Sequence, residues 1–139
     1  MGRAKEKKMR TMVLAVYTVV AAAAGVGAAH AHHSFAAFFD SEKTRTITGE
    51  VTLFQFVNPH GTIELNVRAG GKKEVWRVET NSPSILRRVG WSKDSLQVGQ
   101  TVTIVGWPSR DGTNYLRMQG ASDKDGKPIG RPMNTLEQK

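Results

Sequence analysis

The sequence contains no cysteine, and this absence excludes several kinds of structure at once. No disulfide bond can form, and no thiolate is available to bind zinc, an iron–sulfur cluster or copper(I). A domain without such cross-links has to be held together by its hydrophobic core alone. The 108 residues that follow position 31 suffice for one such domain and are too few for two.

The common short motifs of enzymes are also missing. There is no P-loop, no Gly-x-Ser-x-Gly and no His-Glu-x-x-His in the sequence. Gly25-Val26-Gly27 lacks a third glycine at the spacing that a dinucleotide-binding loop requires. Ser34 directly follows His33, and adjacent residues seldom reach the geometry of a catalytic triad. The sequence therefore predicts a protein that is not an enzyme.

The first 31 residues have the organisation of a secretory signal peptide. Residues 1–10 contain five basic residues and one acidic residue, and residues 12–29 carry no charge. Ala29-His30-Ala31 is a small-x-small site that predicts cleavage before His32, with cleavage before His30 as the second choice. An uncleaved membrane anchor is the alternative, since the apolar stretch is close to the ~20 residues that span a bilayer. We expect an exported protein that contacts the membrane only if this segment is retained.

Much of the positive charge belongs to this segment. The whole chain has a formal net charge of +8, whereas residues 32–139 contain 15 basic and 11 acidic residues, a net charge of +4. These charges are spread along the sequence and do not form the clustered basic stripe of a nucleic-acid-binding protein. We therefore expect no nucleic-acid partner.

Alternation of apolar and polar residues predicts five β-strands and one short helix. The helix is expected from Pro83 to about Arg88, after the third strand, with Ser82 as its cap and Gly90 beyond its end. Gly49 in the first strand suggests a bulge or a sharp bend. Three strands, a helix and two strands is the order of the OB-fold, a five-stranded Greek-key barrel. A small β-sandwich fits the same periodicity.

The predicted fold is therefore mostly β, an OB-like barrel with one short helix, preceded by the signal helix. The predicted domains are a signal peptide (1–31), an amino-terminal arm (32–42), the barrel (43–121) and a flexible tail (122–139). The predicted core residues are Val51, Leu53, Ile63, Leu65, Val67, Trp76, Val78, Val102, Ile104, Leu116 and Met118.

The histidines at the expected new amino terminus are the strongest chemical feature. If cleavage precedes His32, the terminal amine and the His32 imidazole can chelate one copper ion as a histidine brace, and His60 or His33 can add a second imidazole. If cleavage precedes His30, a histidine at position three allows a square-planar copper chelate. Nitrogen ligands in this arrangement favour Cu(II). The alternative is a solvated tail whose histidines have no role, and zinc is disfavoured by the spacing from His33 to His60.

Two further residues belong to this hypothesis. His60 lies in the turn Asn58-Pro59-His60-Gly61, where it can be held between two strands as a ligand or can simply fill the turn. Glu79 alternates with the inward-facing Trp76 and Val78, so its side chain should lie on the outer face of the third strand. It is either a solvated charge or a carboxylate that orients a ligating imidazole. The predicted metal residues are His32, His33, His60 and Glu79.

A second hypothesis uses the barrel surface in place of a metal. Trp91 and Trp107 both follow a glycine at the end of a predicted element. Each either packs over a barrel end or forms a platform for a sugar or a peptide. On this hypothesis the protein is an OB-like module that binds an envelope glycan, a peptide or a protein partner. A purely structural subunit is the third alternative.

Several short stretches resemble an uncharacterised family of small exported bacterial proteins, a domain of unknown function whose signal peptide is followed by His-His-Ser. The stretches are His32-His33-Ser34-Phe35, Phe39-Asp40, Gly49-Glu50-Val51, Asn58-Pro59-His60, Glu79 and Gly90-Trp91. The resemblance covers about residues 32–112. It implies a periplasmic protein of Gram-negative bacteria and implies no activity.

Overall fold

The computed structural model describes residues 37–133, which contain five strands and one short helix. The strands are β1 (Arg45–Gln55), β2 (Thr62–Ala69), β3 (Lys72–Glu79), β4 (Thr101–Pro108) and β5 (Tyr115–Asp123), and the helix is α1 (Pro83–Arg88). The predicted signal peptide and the residues His30, His32 and His33 lie outside the described residues.

The strands close into a barrel in the order β1-β2-β3-β5-β4, with β4 paired back to β1. Neighbouring strands are antiparallel except for β3 and β5, which are parallel. The helix lies in the connection between β3 and β4, as the order of sequence patterns predicts. The OB-like barrel is therefore confirmed.

Inward-facing residues of all five strands form the core. Every predicted core residue is buried except Leu53, which is partly exposed. Leu53 departs from the pattern because a β-bulge between Val51 and Leu53 shifts the pairing of β1 with β2 by one residue. The core also contains Ile47, Leu86, Val89, Trp91, Leu96 and Met133. Of these, Leu86 and Val89 were expected to be buried from the apolar pattern of the helix.

Gly49 is required by a close approach of two strands and not by the bulge, which lies after Val51. Gly49 pairs regularly with Val67 on β2 and Val102 on β4. A Cβ at this position would lie 2.6 Å from the carbonyl oxygen of Asn66. The bulge or bend predicted at Gly49 is therefore wrong, and glycine is needed there because the backbone of β2 leaves no space for a side chain.

The helix α1 closes one end of the barrel. Pro83 and Leu86 are its buried residues, and Trp91, just beyond it, is also buried. Ser82 stands at the N-cap position, although its side chain makes no capping hydrogen bond there. Gly90 has a φ of +91°, which allows the chain to leave the helix in the left-handed conformation.

Residues 122–133, which the sequence assigned to a tail, lie against the barrel. β5 extends to Asp123, and the amide of Ile129 donates to the carbonyl oxygen of Ala121 at 2.9 Å. The amide of Arg131 donates to the carbonyl oxygen of Val89 at 2.8 Å, and Met133 is buried. The polar, glycine-containing composition of this segment gave no indication that the chain folds back over the end of the barrel where α1 lies.

The described part of the amino-terminal arm is fixed at Phe39. This residue forms an isolated β-bridge with Ser109 and is buried, whereas Phe38 is exposed. Asp40 contacts Lys43 at 2.9 Å and Arg110 at 3.7 Å. Among residues 37–133, no helix is long and apolar enough to cross a membrane.

Candidate functional site

His60 is carried by the connection between β1 and β2, and this connection is tied to the end of β3. The amide of Thr80 donates to the carbonyl oxygen of Gly61 at 2.9 Å, and the amide of Gly61 donates to that of Asn81 at 3.4 Å. A Cβ at Gly61 would lie 2.5 Å from the hydroxyl of Thr80, so a larger residue does not fit there. The peptide bond before Pro59 is cis. The turn therefore holds His60 beside the carboxyl end of β3.

Glu79, the last residue of β3, contacts the imidazole directly. Its Oε1 lies 2.8 Å from Nδ1 of His60. Because a carboxylate accepts hydrogen bonds, Nδ1 is the donor in this contact, and Nε2 is the ring nitrogen that the contact does not use. The imidazole itself is half exposed, with 50 % of its side chain accessible. A histidine that binds a metal through one ring nitrogen usually donates the other ring N–H to a carboxylate, a backbone carbonyl or water.

Arg117 anchors the same carboxylate from the neighbouring strand β5. Its guanidinium donates to Glu79 Oε1 at 2.7 Å and to the carbonyl oxygen of Thr80 at 2.8 Å. It also donates to the side-chain oxygen of Asn81, whose amide nitrogen in turn contacts Met133 Sδ at 3.3 Å. Arg117 is 6 % exposed, so this positive charge is buried and matched by Glu79. The pair fixes the Glu79 carboxylate in position.

Tyr115 supplies the third donor to Glu79. Its hydroxyl donates to Oε2 at 2.6 Å, which leaves Oε1 to His60 and Arg117. Burial, together with this hydrogen bond, raises the pKa of Tyr115 to about 12, so the phenol stays protonated at neutral pH. The ring of Phe39 packs against the Tyr115 ring at a centroid distance of 5.1 Å. Phe39 of the arm thus contacts Tyr115, which is hydrogen-bonded to the Glu79 carboxylate beside His60.

The structure brings together two of the four predicted metal residues, His60 and Glu79, and the other two, His32 and His33, lie outside the described residues. Within residues 37–133, no three His, Cys, Asp or Glu side chains are grouped as a metal site. Of the tryptophans considered as platforms, Trp91 is buried and Trp107 is partly buried in β4.

Arg117 and Tyr115 were not predicted from the sequence as residues of the site. Arg117 lies between the buried residues Leu116 and Met118, where strict alternation places a charge on the outside. Its partner Glu79 is 38 residues away, and the two meet only because β3 and β5 run parallel and pair there. The one available signal was an arginine between two apolar residues, Leu116 and Met118, in the first half of the strand.

Comparison with known proteins places the sequence in an uncharacterised group. A family model described as a family of unknown function, DUF6152, matches residues 19–117, which confirms the resemblance seen in the sequence. No match is found among curated proteins.

Among solved structures, one similar chain is the mitochondrial single-stranded DNA binding protein Rim1 of S. cerevisiae. It is 9 % identical, with a TM-score of 0.46 over 59 % of this chain and 93 % of Rim1. Another is the ZRD-deleted mutant of TiaS in complex with agmatine, which is 15 % identical, with a TM-score of 0.43 over 67 % of this chain and 25 % of TiaS. Likeness at this level carries no argument about ligands, and the absence of a nucleic-acid partner stays a prediction.

Proposed function

The chain belongs to DUF6152, a family of unknown function, and from its own residues we propose that it is a small periplasmic copper-binding protein without enzymatic activity. The observation that carries this proposal is the contact between His60 and Glu79, which leaves Nε2 of a half-exposed imidazole as a ligand. Arg117 and Tyr115 hold the carboxylate in place before any metal arrives. A chelate made of one terminal amine and one imidazole needs a further nitrogen donor, and an imidazole held in position, such as that of His60, can supply it.

The remaining donors in this proposal come from the cleaved amino terminus. Cleavage before His32 creates a terminal amine, which together with the His32 imidazole chelates one Cu(II). His60 adds the second imidazole, with His33 as the alternative. His32 is seven residue steps along the chain from Phe39, a length that spans at most about 25 Å. Export by the signal peptide is part of the proposal, because the amine exists only after cleavage. Intact-mass measurement on a periplasmic extract should give a chain that starts at His32, and recovery of the uncleaved chain in the membrane fraction would contradict it.

The test measures Cu(II) affinity by competition with a chelator of known affinity. The first variant adds one residue before His32, which moves the amine away while keeping every side chain. The second variant, His60→Ala, removes the positioned imidazole. We expect both changes to weaken binding. If only the extension matters, the site is a local chelate that uses His33.

A third variant asks whether Glu79 acts through His60. Glu79→Gln should weaken Cu(II) binding by about 10–100-fold, the usual effect of removing a carboxylate that orients a ligating imidazole. Glu50→Gln, on the exposed outer face of β1, is the matched control and should bind as the unmodified protein does. Circular dichroism of each variant establishes that the barrel is folded.

If neither the extension nor His60→Ala changes affinity, copper binding is adventitious. The barrel then has to be regarded as a module for an envelope glycan, a peptide or a protein partner.

A further inference from the structure

A positively charged surface lies beside the loop that carries His60. It is formed by Phe56, Val57, Arg87, Arg88 and Arg131, and we call it the arginine surface. All three arginines are exposed, and Val57 is 49 % exposed. The three segments that build it, residues 54–61, 80–93 and 128–133, contain no aspartate or glutamate. The positive charge of this surface is therefore not balanced by acidic residues of the same segments.

Two contacts, together with the sequence neighbours Phe56-Val57 and Arg87-Arg88, connect the residues of this surface. The guanidinium of Arg87 lies 5.3 Å from the centre of the Phe56 ring. The side chain of Arg131 donates to the carbonyl oxygen of Arg88 at 2.5 Å. Phe56 is supported in turn by Phe54, at a ring-centroid distance of 6.0 Å. The side chains of Arg87 and Arg131 are thus held in defined positions, which lowers the entropy that a partner must remove on binding.

The surface lies at the same end of the barrel as the proposed ligand site. Phe56 and His60 belong to one loop, and Gly61 of that loop is hydrogen-bonded to Thr80 and Asn81, immediately before α1. A partner that docks on α1 therefore binds beside the loop that carries His60.

We propose that the arginine surface docks an acidic segment of a protein partner. Arginine presents a planar fork that matches carboxylates in two-pronged pairs. Arginine beside aromatic residues is also the composition that is enriched in protein interfaces. A lipid surface is disfavoured, because anionic lipids are usually recognised by about four to eight clustered cations and this surface has three. A nucleic acid is disfavoured by the modest, dispersed charge of the rest of the chain.

The proposal rests on the proposed function only in what docking would achieve, which is to bring a partner to His60. The binding itself needs no metal, so it is measured on metal-free protein. Its failure would leave the copper proposal standing, and failure of the copper proposal would leave this one standing.

The experiment titrates the metal-free protein with a synthetic peptide of alternating aspartate and leucine, followed by amide chemical-shift changes in NMR spectra. The test variant is the double substitution Arg87→Glu and Arg131→Glu. The control is Lys72→Glu and Lys73→Glu, which makes the same change in net charge at the hairpin between β2 and β3. We expect shifts at Val57 and α1, weaker binding at high salt, and a loss of at least about tenfold in affinity for the test variant alone.

Three outcomes would overturn the proposal. Equal losses in the test and control variants would mean that net charge alone attracts the peptide. Binding to phosphatidylglycerol vesicles or to a single-stranded oligonucleotide, with none to the peptide, would assign the surface to another partner class. Shifts confined to residues far from α1 would place the contact elsewhere. A Cu(II) titration of the test variant, whose substitutions lie outside the proposed ligands, establishes that the two sites are independent.

Discussion

Replacing Arg117 with methionine should remove the group that holds the candidate site together. The change keeps a long side chain in the space but deletes the buried positive charge. Glu79 then loses its charged partner, and the oxygens of Thr80 and Asn81 lose a donor. Breaking a buried ion pair by removing one partner costs about 3–5 kcal/mol. Because the Glu79 side chain is 21 % exposed and can be partly hydrated, we expect a loss near the lower limit, about 3 kcal/mol.

Urea unfolding, followed by tryptophan fluorescence and circular dichroism, measures this loss. Arg68→Met, an exposed arginine on β2, is the control and should change the free energy of unfolding by less than about 0.5 kcal/mol. A double-mutant cycle with Glu79→Gln isolates the interaction energy between Arg117 and Glu79 from their other contacts, and this coupling should be about 1–3 kcal/mol. If Arg117→Met costs less than about 1 kcal/mol, or the coupling is near zero, the buried pair does not organise the site.

Three further predictions follow from the same geometry. Tyr115, the only tyrosine after residue 31, should ionise at about pH 12 by absorbance at 295 nm, compared with about 10 in urea. Because folding raises this pKa, the protonated phenol contributes its full stabilisation of the folded state below about pH 10, and this contribution is lost as the pH rises to about 12. Ionisation at about pH 10 in the folded protein would refute the hydrogen bond from Tyr115 to Glu79. Gly61→Ala should destabilise the fold by about 1–3 kcal/mol, whereas Gly120→Ala, with open space at its Cβ, should be nearly neutral; similar denaturant midpoints would contradict the close approach. Leu65→Ala should cost about 2–5 kcal/mol and the exposed Val75→Ala less than about 0.5, and equal losses would break the assigned register.

The sequence by itself determined the elements and most of the core. Alternation with a period of two is a local property, so Ile63, Leu65 and Val67 could be assigned to one face of β2 without knowledge of the rest of the chain. The order of three strands, a helix and two strands was also readable, because each boundary has its own turn or capping residue. Leu53 was misplaced for the same reason, since a bulge changes the face without changing the local pattern.

Only the tertiary structure decided which charged groups meet. Pairing of β3 with β5 joins residues 38 positions apart, and no local pattern encodes that contact between Glu79 and Arg117. The burial of Arg117 depends on Asn81 and Met133, which cover this end of the barrel from two other segments. Alternation states which face a side chain takes, but whether that face meets solvent depends on what the rest of the chain places over it. His60 became a candidate ligand with a fixed orientation only once the closed barrel brought these segments together.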